Sequence, residues 1–118
     1  MKYIKLFCVS AVFLSLFSCS TTEANKDNDA LLQFAKSNCF FWYFKSQNID
    51  TEEIGKITSG IVEMSTYSAE KFQKVALLVK EYTPDVNTKQ NVDVRLAKCF
   101  MLGSDEAFLK EIYAISRR

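Results

Sequence analysis

The sequence predicts an all-α fold, a compact bundle of about five helices with one disulfide. Three observations carry that expectation. Apolar residues recur at helical spacing through most of residues 29–118. No stretch alternates convincingly with period two, the mark of a half-buried strand. The breakers Thr83-Pro84 and Gly103 fall between the periodic segments rather than inside them.

Asp29 is a candidate N-cap, and a first helix is expected from there to about Ser46. Its apolar stripe is Leu31, Leu32, Phe34, Ala35, Cys39 and Trp42. A second helix is expected from Thr51 to Met64, where Ile54, Ile57 and Ile61 recur on one face. Asp50, with Glu53 three residues on, suits a capping arrangement at its start. Gly60 either lets a neighbour approach closely or merely weakens this helix. The third helix opens at Ser68 and has the clearest amphipathic pattern, with Phe72, Val75, Ala76, Val79 and Tyr82. Pro84 stops it, because the residue before a proline avoids the α region. The segment from Asp85 to Gln90 is polar and turn-prone apart from Val86. A fourth helix is expected near Asn91, with Val92, Leu96, Cys99 and Phe100 inward and Gly103 ending it in a left-handed conformation. Ser104 is then the expected cap of a fifth, carrying Phe108, Leu109, Ile112, Tyr113 and Ile115. Arg117 and Arg118 stand at its C-terminal end, where positive charge is favoured.

Residues 1–18 read as a secretory signal. Lys2 and Lys5 make a short basic opening, Leu6 to Phe17 is almost wholly apolar, and Ser18-Cys19 is a small-residue exit. The run is too short for a mature spanning helix, which needs about 20 apolar residues. Leu16, Ser18 and Cys19 match the positions of a bacterial lipobox, with Phe17 departing from the usual small or β-branched residue. Cleavage before Cys19 with lipidation of its thiol is the expectation, which would put the chain in the periplasm, anchored to the outer membrane. Ordinary cleavage near Ser20 or Ala24, with no lipid, is the rival. Residues 19–28 are polar and read as a flexible tether to a helical domain over 29–118.

Of 15 Lys+Arg, two leave with the signal, so 13 face 14 Asp+Glu. That balance provides no basic surface for nucleic acid. Of the four cysteines, Cys8 belongs to the signal and Cys19 to the processing site. Cys39 and Cys99 remain, and in an exported small domain two thiols most simply pair. Two separately buried thiols are the alternative. Closing a loop of 60 positions stabilises by about 4 kcal/mol on the chain-entropy account.

The chain has no histidine, which removes the commonest general base and metal ligand and forbids a Ser-His-Asp or Cys-His catalyst. Glu52/Glu53 and Asp105/Glu106 are the only notable acid pairs, and both sit where helices should start. There is no glycine-rich phosphate loop. The expectation is a non-enzyme without metal or cofactor.

Two segments ask for partners. Phe40-Phe41-Trp42-Tyr43-Phe44 places five rings around the whole circumference of a helix, so one core cannot bury them all. Phe40, Phe41, Tyr43 and Phe44 are candidate interface residues for a second copy or another protein; a helix packed on every side is the alternative. The loop Pro84, Asp85, Val86, Asn87, Thr88, Lys89, Gln90 and Asn91 leaves the bundle between two well-defined helices. It is either a solvated connector or a binding element held in shape by rigid neighbours.

Several blocks together resemble one family. They are Asn38-Cys39-Phe40, the stretch from Ser59 to Ser68, the helix from Phe72 to Tyr82, and Leu96-Ala97-Lys98-Cys99-Phe100 followed by Ser104 to Leu109. In order and spacing they are similar to the immunity proteins of the fourth family of type VI secretion amidase effectors, over roughly residues 30–115. The resemblance implies a periplasmic all-α homodimer whose two family cysteines fall on Cys39 and Cys99. It also implies a cognate peptidoglycan amidase with a catalytic cysteine and histidine, inhibited by a loop that enters its cleft. The matching loop here is Pro84 to Asn91, and its sequence matches no family signature. An envelope lipoprotein with a structural or adaptor role is the alternative.

Overall fold

The computed structural model describes residues 23–118. The signal over 1–18, the lipidation site Cys19 and the first part of the tether lie outside the described residues. Five helices follow in order: α1 (Glu23–Ser46), α2 (Glu52–Met64), α3 (Ala69–Glu81), α4 (Val94–Met101) and α5 (Glu106–Arg117). There is no strand among the described residues, and none of these helices is long and apolar enough to cross a membrane.

The chain is organised around α1, on which α2, α3, α4 and α5 all pack, while α3 also packs on α5. A helix with four neighbours needs apolar residues over much of its circumference. That is what the crowded aromatic run provides. The core joins Leu31, Phe34, Ala35 and Cys39 of α1 to Phe72, Val75 and Val79 of α3. Cys99, Leu102, Phe108, Ile112 and Ile115 complete it. Phe34 meets Phe72 edge to face at 5.0 Å, and Tyr82 meets Phe108 likewise at 5.0 Å. Lys71 Nζ donates to the Ser116 carbonyl at 2.8 Å, tying α3 to the end of α5.

α1 begins at Glu23, so Asp29 lies inside the helix and is not its cap, and the helix reaches back into the stretch read as tether. Asp29 instead accepts a hydrogen bond from Gln33 one turn on. α2 has no fully buried residue. Ile61 and Val62 lean on the core, while Ile57 stands exposed. Thr58 Oγ1 donates to the Ile54 carbonyl at 2.7 Å, which uses its one proton. Ser37 Oγ is therefore the donor in the 2.5 Å bond that crosses from α1 to Thr58. Asp50 accepts from the Glu52 N–H at 2.9 Å, but Glu53 turns away to Lys56 and does not complete a capping box. Gly60 has nothing within 4 Å of where a Cβ would stand, so it makes no close approach.

Three corrections concern the C-terminal half. Gly103 does not take a left-handed conformation, since no described glycine has positive φ. Its missing side chain makes room for Lys36, whose Nζ would lie 2.7 Å from an added Cβ. The cap of α5 is Asp105, whose carboxylate accepts from the Phe108 N–H at 2.9 Å; Ser104 donates to the Met101 carbonyl instead. On α4 the expected inward face holds only at Cys99 and in part at Leu96, because Phe100 and Val92 are exposed. Trp42 and Tyr113 are exposed as well, outside the stripes assigned to them.

Candidate functional site: the tethered loop between α3 and α4

The chain from Tyr82 to Asp93 has no regular structure, and each of its ends is fastened. At the first end the Tyr82 hydroxyl donates a short hydrogen bond to Asp105 Oδ2, and Pro84 is buried. Burial raises the Tyr82 phenol to about 12, and the bond to Asp105 and its charge add to the shift. The same hydroxyl, with the Phe108 N–H behind it, holds the Asp105 carboxyl below the usual carboxylate range.

At the other end Asp93 caps α4. Its Oδ1 accepts from the Arg95 N–H at 2.9 Å, and its Oδ2 accepts from the Tyr43 hydroxyl at 3.3 Å and faces Arg95 Nη2 at 3.4 Å. Burial alone would raise the Asp93 carboxyl, but the Arg95 and Leu96 N–H groups and the Arg95 guanidinium hold it lower than normal. One and a half turns further on, Cys99 is joined to Cys39 of α1, with Cα atoms 5.4 Å apart. The paired thiols expected from sequence are thus bonded to each other.

Between these ends Asp85 and Asn87, Thr88, Lys89, Gln90 and Asn91 are exposed, and Val86 is half-buried. Thr88 Oγ1 accepts from the Gln90 N–H at 3.0 Å and donates to the Gln90 carbonyl at 2.6 Å, which fixes a turn at the tip. The loop therefore presents a polar, shaped tip on a closed frame.

The aromatic run is distributed around α1. Phe40 lies 5.2 Å from Phe100 and 6.0 Å from Phe44, and Tyr43 reaches the loop's end. Phe41 packs toward Gly55 of α2, where a Cβ would come within 3.6 Å of its ring, and the Lys45 ammonium lies 5.6 Å above it. Phe40, Phe41, Tyr43 and Phe44 are each half-covered by their own chain, while Trp42 and Phe100 stay 57% and 71% exposed.

The acid pairs sit at helix starts as expected. Glu52 and Glu53 both bridge to Lys56, at 2.8 and 2.9 Å, and Asp105 caps α5. No group of histidine, cysteine, aspartate and glutamate suited to a metal ion is found among the described residues. Sequence reasoning missed Tyr82, Asp105, Asp93 and Tyr43 as the fasteners of the loop. The signal was faint: Tyr82, Asp93 and Asp105 flank helices, Tyr43 sits inside α1, and each partner lies 23 or 50 positions away. Comparison with family models, with curated proteins and with solved structures returned no match.

Proposed function

We propose that this domain is an immunity protein that binds a type VI secreted peptidoglycan amidase and inhibits it by placing the loop Pro84–Asn91 in the active-site cleft. The observation that carries the reading is the loop itself: an exposed tip on a segment fastened at both ends. A loop held in its bound shape loses little conformational entropy on docking, so more of its contact energy appears as affinity. Occlusion needs no catalytic group in the inhibitor, which suits a chain without histidine. The Cys39–Cys99 bridge favours an oxidising compartment, in line with the signal-like leader and a periplasmic location, with Cys19 as lipid anchor. In this reading the molecule is a homodimer, and the exposed Phe100 together with the open sides of Phe40 and Phe44 forms the surface a second copy covers.

The test is co-expression in the periplasm with a candidate amidase. The intact domain is expected to prevent lysis. A domain with Asn87-Thr88-Lys89 replaced by Gly-Ser-Gly, folded by circular dichroism, is expected to rescue poorly. Full rescue by that variant would place the contact elsewhere. Light scattering of the purified domain checks the dimer, and a strict monomer at high concentration would remove it.

A further inference from the structure

A groove of about 690 Å³ runs between α1, α3 and α4, lined by Asn38, Trp42, Gln73, Ala76, Leu77, Lys80 and Lys98. A smaller hollow of about 210 Å³ continues from Trp42 and Lys98 to Tyr43, Ser46 and Arg95. We propose that this groove is a docking site for an acidic peptide segment of a protein partner, which sets an apolar side chain against Trp42 and Leu77 and its carboxylates against Lys80 and Lys98.

The argument is one of charge and shape. Trp42 and Leu77, 57% and 58% exposed, give the groove a large open apolar wall. Its lining contains no acid, although the chain has almost as many acids as bases. The Lys98 ammonium is half-buried, and its one polar contact among the described residues is a long 3.4 Å hydrogen bond to the Lys80 carbonyl. Burial lowers the Lys98 ammonium below the usual lysine range, and no carboxylate offsets the shift. Lys80 forms no ion pair among the described residues, and Lys45 lies 5.0 Å over the Trp42 ring, adding a third cation nearby. A partly desolvated ammonium without a counter-charge is stabilised by an incoming carboxylate. The volume lies in the range of cavities that bind organic ligands of drug size.

Trp42 is the chain's one tryptophan, so its emission reports occupancy of the groove directly. The probe is the peptide acetyl-Glu-Leu-Glu-Leu-Glu-amide, titrated to millimolar concentration against the intact domain. It is expected to shift Trp42 emission to shorter wavelength, while the same peptide with lysine for glutamate, or serine for leucine, leaves it unchanged. Lys80→Glu and, separately, Lys98→Gln are expected to weaken binding by about tenfold or more, and Lys110→Glu on α5 to leave it unaltered. A silent response to the acidic peptide, equal binding of the basic one, or undiminished binding by both groove variants would each overturn the proposal. The titration uses no amidase, and the loop-replaced domain should bind the peptide as the native one does, so this inference and the inhibitor reading fail separately.

Discussion

Replacing Cys39 and Cys99 by alanine should lower stability substantially, and the structure says how. The bridge closes a loop of 60 positions. In the chain-entropy account, releasing that constraint in the unfolded state costs about 4 kcal/mol. For a domain of roughly 90 residues, that corresponds to a drop in melting temperature of about 20 °C. There is also a local consequence. α4 has eight residues, its one buried residue is Cys99, and it packs on α1. Without the bridge, Leu102 just past its end is the remaining fully buried anchor of that segment. Residues 84–101 can then open while α1, α3 and α5 stay packed. The assay is calorimetry of the double variant paired with amide hydrogen exchange. A large fall in melting temperature is expected, with α4 amides exchanging well before those of α3. A melting point within about 5 °C of the native one, or α4 protection equal to that of α3, would show that the bridge does not hold α4 in place.

Four further outcomes follow from the geometry. Tyr82→Phe and Asp105→Asn should each lower the melting temperature, with the double variant less destabilised than the sum of the two, because both remove one hydrogen bond. The pH dependence has two signs. The Asp105 contribution is complete above the ordinary aspartate value and disappears as pH falls through its lowered one. The Tyr82 contribution is complete below the ordinary tyrosine value of 10.0 and disappears as pH rises through about 12, which ultraviolet titration of the phenols will follow. Gly103→Ala should be within about 0.5 kcal/mol of neutral by urea denaturation, since the group in its way is the flexible end of Lys36 and the backbone is not left-handed. Phe108→Ala, at a side chain 1% exposed, should cost about 3–5 kcal/mol and destroy the Tyr82 packing that seats the loop.

The bundle was legible where apolar residues kept a helical beat over three turns. Phe72, Val75 and Val79, and Phe108, Ile112 and Ile115, are buried as their spacing requires. α3 ends at Glu81 with Tyr82 as its cap, just ahead of the Thr83-Pro84 pair that cannot continue a helix. The beat failed where it was saturated or too short. Five consecutive rings carry no phase, so the exposure of Trp42 could not be read from them. α4 offers two turns, and Cys99 and Phe100 are neighbours of equal apolarity that point to opposite environments. Ser104 and Asp105 are adjacent cap-forming residues; Asp105 caps α5 through Oδ1 while its Oδ2 accepts from Tyr82, a contact from another element. The same limit hid the groove. Asn38 and Trp42, Gln73 and Leu77, and Lys98 occupy three helices, and nothing in their local spacing brings them together.

In the proposed function the loop Pro84–Asn91 covers the reactive thiol of a peptidoglycan amidase. The most direct measurement is the rate at which iodoacetamide alkylates the catalytic cysteine of the cognate amidase, alone and in complex. On that proposal the native domain suppresses alkylation, and the folded variant with Asn87-Thr88-Lys89 replaced restores the free rate. A stable complex in which that cysteine reacts as quickly as in the free enzyme would contradict it.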